Sequence, residues 1–137
     1  MTTLADYRNE RLRKLEEIKN LGIDPYPAKS NRDTKIAQVT HEYESLEDKT
    51  VTIVGRLVAI RSFGKLAFLK LRDDSGEVQV FMTQQDLTDE KLFNTKRLKL
   101  LDTGDFIEAT GKVGKSSTGE ISVFSHEVRL LGKALRP

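Results

Sequence analysis

The sequence predicts a mainly β fold: a five-stranded Greek-key barrel, with a helix between its third and fourth strands and a helical N-terminal extension. Three observations carry that prediction. Residues 1–48 are charged and have helical periodicity, whereas residues 49–131 switch to β-branched residues with period two. Turn signals at Ser62–Lys65, Asp73-Asp74-Ser75-Gly76, Asp102-Thr103-Gly104-Asp105 and Ser116–Gly119 cut the second region into strands. A capped helical stretch falls between the third strand and the fourth.

The first helix spans about Leu4 to Asn20. Leu12, Leu15, Ile18 and Leu21 recur every three residues and mark an apolar stripe, while Arg8, Arg11, Arg13, Lys14 and Lys19 occupy the other faces. Gly22 follows where a left-handed cap is expected, and Pro25 and Pro27 forbid continuation. A shorter helix covers about Thr34 to Tyr43, with Ile36, Val39 and Tyr43 on one side. The first strand, Val51–Arg61, is broken in phase at Gly55, which predicts a bulge or bend there. Leu66–Arg72 and Glu77–Met82 are the second and third strands. Thr88-Asp89-Glu90 opens a helix running to about Arg97, with acids in its first turn. Phe106–Val113 and Glu120 to about Arg129 are the last two strands. Three strands, a helix and two strands is the element order of the OB-fold, whose outer face at strands two and three commonly binds oligonucleotides. Order alone leaves an alternative open: a small five-stranded sheet packed on a helix.

Composition narrows the chemistry. The 137 residues fit one domain with an appendage. Charged residues reach 32%, yet 37% of the chain is apolar, too much for a disordered tail. The absence of cysteine excludes disulfides, thiolate zinc sites and thiol nucleophiles, and fits a reducing, cytoplasmic setting. Two histidines, His41 and His126, are too few for a His-rich metal centre, and no Ser/His/Asp set emerges. No apolar run approaches the ~18 residues of a membrane span, and MTTLADYRNER has no signal-peptide core.

The net charge of +2 conceals an asymmetry. Lys49, Arg56, Arg61, Lys65, Lys70 and Arg72 lie in a stretch with no acid from residue 49 to 72, so the rest of the chain carries two minus six, or −4. A concentrated basic segment on a near-neutral chain points to an anionic partner, against the commoner reading of a solvated strand face. Parity sharpens this. Ala67, Leu69 and Leu71 share the inner face of the second strand, so Leu66, Phe68, Lys70 and Arg72 point out. In the third strand Val78, Val80 and Met82 point in, and Glu77, Gln79 and Phe81 point out. Pairing about the 73–76 turn sets Lys70 beside Gln79 and Phe68 beside Phe81. An outward ring beside an amide and a row of cations suits single-stranded nucleic acid: stacking, base-edge reading and phosphate contact. The competing reading has the N-terminal helices covering Phe68 and Phe81.

Two motifs carry no chemistry. Gly114-Lys115-Ser116 imitates the end of a phosphate-binding loop, but Ala109 stands where that loop needs glycine, and a β-pattern follows instead of a helix. Asp73 and Asp74 are adjacent in a turn and point apart, so they are no paired-carboxylate catalyst.

In order, the segments RNERLRKLEEIKNLGIDPYP (with Gly22-Ile23-Asp24-Pro25-Tyr26-Pro27 as its exit), VTIVGRLVAIRSFGKLAFLKLRDDSGEVQVF, Asp102-Thr103-Gly104-Asp105, SSTGEISV and LLGKALRP resemble the N-terminal anticodon-binding domain of class II lysyl-tRNA synthetases along nearly the whole chain. The resemblance implies an OB-fold at residues 49–131, a helical extension at 1–48, and the start of a linker at 132–137. It implies that Phe68 stacks on an anticodon base, that Gln79 and Glu120 read base edges, and that Arg61 and Lys65 contact the loop of a lysine tRNA. Lys70, Arg72 and Arg56 are then the phosphate contacts. Phe63 stands where the family often has Met. The family's catalytic motifs, which use ATP and Mg2+ to attach lysine, are absent from these residues, so no enzymatic activity and no cofactor are expected of this chain alone. The resemblance further implies a catalytic domain as partner, a homodimer and no membrane. Two other functions remain open, a sequence-tolerant single-strand binder and a dimerisation module.

Overall fold

The computed structural model describes residues 2–27, 29–83 and 92–135. Three helices, α1 (Leu4–Asn20), α2 (Ile36–His41) and α3 (Tyr43–Leu46), precede five strands. These are β1 (Thr50–Phe63), β2 (Leu66–Arg72), β3 (Glu77–Met82), β4 (Phe106–Lys115) and β5 (Ile121–Gly132). They close into a barrel in the order β1-β2-β3-β5-β4, so the open-sheet alternative falls. All pairings are antiparallel except β3 with β5. The helix expected from Thr88 to Arg97 begins on residues 84–91, which lie outside the described residues. Residues 92–96 are not helical, and a single 3-10 turn follows at Arg97–Leu100.

Alternation builds the core as parity predicts. Ala67, Leu69 and Leu71 from β2 and Val78, Val80 and Met82 from β3 are buried among Ile53, Leu57, Ile107, Val123 and Val128. Ile18 and Ile23 from the α1 region and Ile36 and Val39 from α2 join the same cluster. Ile36 and Val39 are fully buried, as expected for their helix. Two groups from the β2–β3 turn hold α2 in place. Asp73 accepts the Ile36 N–H at 3.0 Å, and the Ser75 hydroxyl accepts the Ala37 N–H at 2.9 Å. Burial opposes ionisation of Asp73, but bonds from Ser75, Ile36 and Gly76 outweigh it and hold its pKa below the usual value.

The bulge in β1 is displaced from its expected position. Leu57 pairs with Leu71 and Ala59 with Lys70, which leaves Val58 as the extra residue. Gly55 serves another purpose: a Cβ there would lie 3.0 Å from the Ile36 Cδ1, the Leu71 Cβ and the Arg72 carbonyl oxygen. Its absence admits α2 to the barrel.

Helix α1 starts with a capping box, in which Thr3 Oγ1 accepts the Asp6 N–H at 3.1 Å and Asp6 Oδ2 accepts the Thr3 N–H at 2.9 Å. Gly22 ends it at φ 80°, the left-handed cap that the sequence predicts. Its buried face is rotated from the expected stripe: Arg11, Leu15 and Ile18 are buried, Leu12 is half-buried and Leu21 is exposed. Arg11 turns inward because its guanidinium donates to the Ala134 carbonyl at 3.5 Å. Beside it, Lys133 is fully buried and bridges Asp102 at 2.7 Å and Asp105 at 2.8 Å, while Lys14 reaches Asp102 at 2.7 Å. This polar knot ties α1 to the segment that leaves β5.

Candidate nucleic-acid interface

The Val58 bulge decides what the outer surface carries. Before it, Val51, Ile53, Gly55 and Leu57 are buried, so odd positions face the core. After it the phase reverses. Ile60 pairs with the buried Leu69, and Arg61 pairs with the outward Phe68. Without the extra residue Arg61 would point into the barrel. On the neighbouring ladder Phe68 pairs with Phe81 and Lys70 with Gln79, the register expected from the turn.

These residues line an open groove of about 410 Å³. Its lining includes Arg61 and Phe63 from β1, Phe68 and Lys70 from β2, Gln79 from β3, and Glu120 from the β4–β5 turn. The turn is set locally: Ser116 and Glu120 exchange bonds, with Ser116 N–H to the Glu120 carbonyl at 2.9 Å and Glu120 N–H to Ser116 Oγ at 3.2 Å. Gly119 turns it at φ 88°. Among the described residues, no hydrogen bond or ion pair engages the side chains of Arg61, Lys70, Gln79 or Glu120. Such groups, clustered on a concave surface beside an aromatic ring, are free to meet a ligand.

The other sequence-derived candidates sit apart from the groove. Lys65 is exposed at the β1–β2 turn and does not line it. Arg72 is ion-paired with Glu77, its Nε donating at 2.6 Å. Arg56 lies in the middle of β1, before the bulge, its guanidinium 5.0 Å from the centre of the Phe106 ring.

Phe68 and Phe81 are flanked by other rings, in an aromatic row that crosses the barrel. Phe63 meets Phe68 edge-on at 5.9 Å, Phe68 meets Phe81 at 4.3 Å, and Phe81 stacks on Phe124 at 4.9 Å with a 10° interplanar angle. Phe63 is 61% exposed and Phe124 39%. Sequence reasoning missed Phe124. Its outward position followed from the alternation of β5, but its neighbour Phe81 is joined to it by the parallel β3–β5 pairing, which strand order alone does not reveal.

The false phosphate-loop motif behaves as its sequence context predicts. Gly114-Lys115 ends β4 and leads through a turn into β5, with no helix to hold a phosphate. His41 and His126 are exposed. Among the described residues no cluster of His, Asp or Glu could hold a metal ion, and no helix is long and apolar enough to cross a membrane.

Comparison with known proteins agrees with this geometry. Residues 51–131 match the family described as OB-fold nucleic acid binding domain. The chain is 34% identical over 140 residues to a lysine–tRNA ligase of Thermotoga maritima, an alignment covering 98% of this chain and 28% of that protein. It is 40% identical over 129 residues to the lysine–tRNA ligase of Clostridium novyi, covering 93% and 25%. For that of Carboxydothermus hydrogenoformans the figures are 39% over 127 residues, 93% and 25%. The chain thus spans about a quarter of the length of the curated relatives it matches.

Proposed function

The chain belongs to the family of OB-fold nucleic acid binding domains, and from that premise we propose that it binds the anticodon loop of a lysine tRNA, as the tRNA-recognising part of a class II lysyl-tRNA synthetase. One observation supports this above the others. Arg61, Phe68, Gln79 and Glu120 come from four separate segments and line one groove. In this reading the loop bases unstack over β1–β3 and Phe68 stacks on one of them. Gln79 offers a donor and an acceptor, whereas the Glu120 carboxylate only accepts. Uracil presents an N3–H between two carbonyl oxygens and so satisfies both side chains. Cytosine presents a bare N3 to the carboxylate, and an acceptor that the bound base covers without pairing costs about 1–3 kcal/mol. Arg61, Lys65 and Lys70 hold the loop, with Arg56 and Arg72 serving only phosphates that run past the groove. The attachment of lysine, with its ATP and Mg2+, belongs to the part of the relatives that this chain does not span, and a catalytic domain there is the barrel's partner.

Titration with the anticodon stem-loop of lysine tRNA, and with the same loop carrying cytidine for its central uridine, tests the reading at two salt concentrations. A preference for the uridine loop supports it. Equal, salt-steep binding to both would leave a sequence-tolerant barrel and sink the lysine-specific reading.

A further inference from the structure

We propose that a slot beside Phe124, reached from the groove across Phe81, binds the base of a nucleotide adjoining those held at Phe68. The inference rests on the nucleic-acid reading above and extends it to a second stacking site. The slot has a volume of about 520 Å³ and is lined by Phe124, Gly114, Lys112, Lys115, Tyr43 and the Glu47–Asp48 pair, with Val113 below.

Continuity with the groove identifies the occupant. Phe68, Phe81 and Phe124 follow one another across β2, β3 and β5, the last two rings parallel, so the slot lies two ring spacings from the groove. A single strand that places one base on Phe68 has its next base in reach of Phe124. The slot is also kept clear for a planar group. Phe124 is 39% exposed. A Cβ on Gly114 would lie 2.9 Å from the Phe124 ring, so the glycine lets that ring sit over β4. The Gly114-Lys115 pair, a false phosphate-loop signal in the sequence, thereby supplies the slot's floor and rim. On its far side the Lys115 Nζ lies 4.8 Å from the Tyr43 ring centre.

Charge sets the mode of binding. Lys112 and Lys115 are balanced by Glu47 and Asp48, so the slot has no net grip on phosphate. Selection there comes from stacking and hydrogen bonds to the base, and its contribution is insensitive to salt.

The test is a cycle between protein and RNA, using the anticodon stem-loop of lysine tRNA with each loop base removed in turn. Phe124→Ala is expected to weaken the intact loop about tenfold, the scale of one lost stack, with the salt slope unchanged. The loss should vanish for one abasic position, next to the position that couples to Phe68→Ala. Phe124→Tyr keeps the ring and should restore binding, which separates stacking from folding. Coupling of Phe124 to the same base as Phe68 would overturn the slot and make Phe124 a support for Phe81. So would an unchanged affinity. If Phe68→Ala also couples to no base, the groove reading fails and the slot fails with it. Normal Phe68 coupling with none at Phe124 refutes the slot alone.

Discussion

Replacing Lys133 with alanine would leave two carboxylates facing the space that its ammonium now fills. The side chain is fully buried, 2.7 Å from Asp102 and 2.8 Å from Asp105. Asp105 is equally buried and, among the described residues, would keep the N–H groups of Asp102 and Ala134, each at 2.8 Å. Asp102 would keep Lys14. Removing one partner of a buried pair costs about 3–5 kcal/mol, a large share of the ~5–15 kcal/mol that holds a domain folded. The pH dependence gives a sharper signature. Burial pushes the Asp105 carboxyl above its usual range, against the pull of Lys133 and the two N–H groups. Without Lys133 it rises further. A carboxyl whose folded pKa exceeds its unfolded one contributes stability below the unfolded value, near ~3.9, and loses it as pH climbs through the folded value. The variant should therefore recover stability as pH falls from neutrality toward about 4–5. In the unsubstituted protein Asp102 has the opposite sign. Burial raises it, but Lys133 and Lys14 outweigh burial and hold it low. Its contribution is present above ~3.9 and fades as pH falls through its folded pKa. Urea unfolding at neutral and mildly acidic pH measures both terms. A loss under about 1 kcal/mol at neutral pH, the range of an exposed pair, would refute the buried-knot reasoning. A loss equal at the two pH values would refute the role of Asp105.

Three further outcomes are expected. Phe68→Ala should weaken stem-loop binding by about 1–3 kcal/mol, measured by titration, with the fold intact by circular dichroism. Lys70→Ala should reduce the slope of log affinity against log salt by about one, with the preference for the uridine loop kept. Gly111→Ala should cost more than the ~1–3 kcal/mol usual for overpacking, because a Cβ there would lie 2.2 Å from the Phe124 carbonyl oxygen. Thermal unfolding measures that loss, and an unchanged midpoint would show that β5 can move aside.

The sequence carried what local periodicity encodes. Parity in β2 and β3 correctly placed Phe68, Lys70 and Gln79 outside and Leu69, Leu71 and Val80 inside, because one turn fixes the register of an antiparallel pair. It could not carry contacts that depend on barrel closure. Phe124 meets Phe81 across the parallel β3–β5 ladder, and Asp73 caps a helix that precedes it by two whole strands. Arg11 and Lys133 escaped for a different reason. A cation on a helix or at a strand end reads as solvated until its buried acceptors are known, and here those acceptors come from distant segments. Glu120 was reached only through family resemblance, since nothing in its own periodicity points to the groove.

The bulge at Val58 joins these two classes of information. Composition shows a cation at Arg61 and a phase break in the first strand, but Gly55 is the more conspicuous irregularity and attracts the assignment. The structure separates the two functions. Gly55 makes room for Ile36, which seals the barrel end, and Val58 resets the phase so that a guanidinium stands beside Phe68. Polar groups divide along the same line. At the α1 and β5 end, Lys14, Lys133, Asp102 and Asp105 all satisfy one another. At the groove, Arg61, Lys70, Gln79 and Glu120 have no partner among the described residues. Unpaired groups at the surface add little to folding, so they can be chosen for a ligand, while the paired knot maintains the scaffold that aims them. Substitutions at the groove should accordingly change binding with little change in unfolding free energy, and substitutions in the knot should do the reverse.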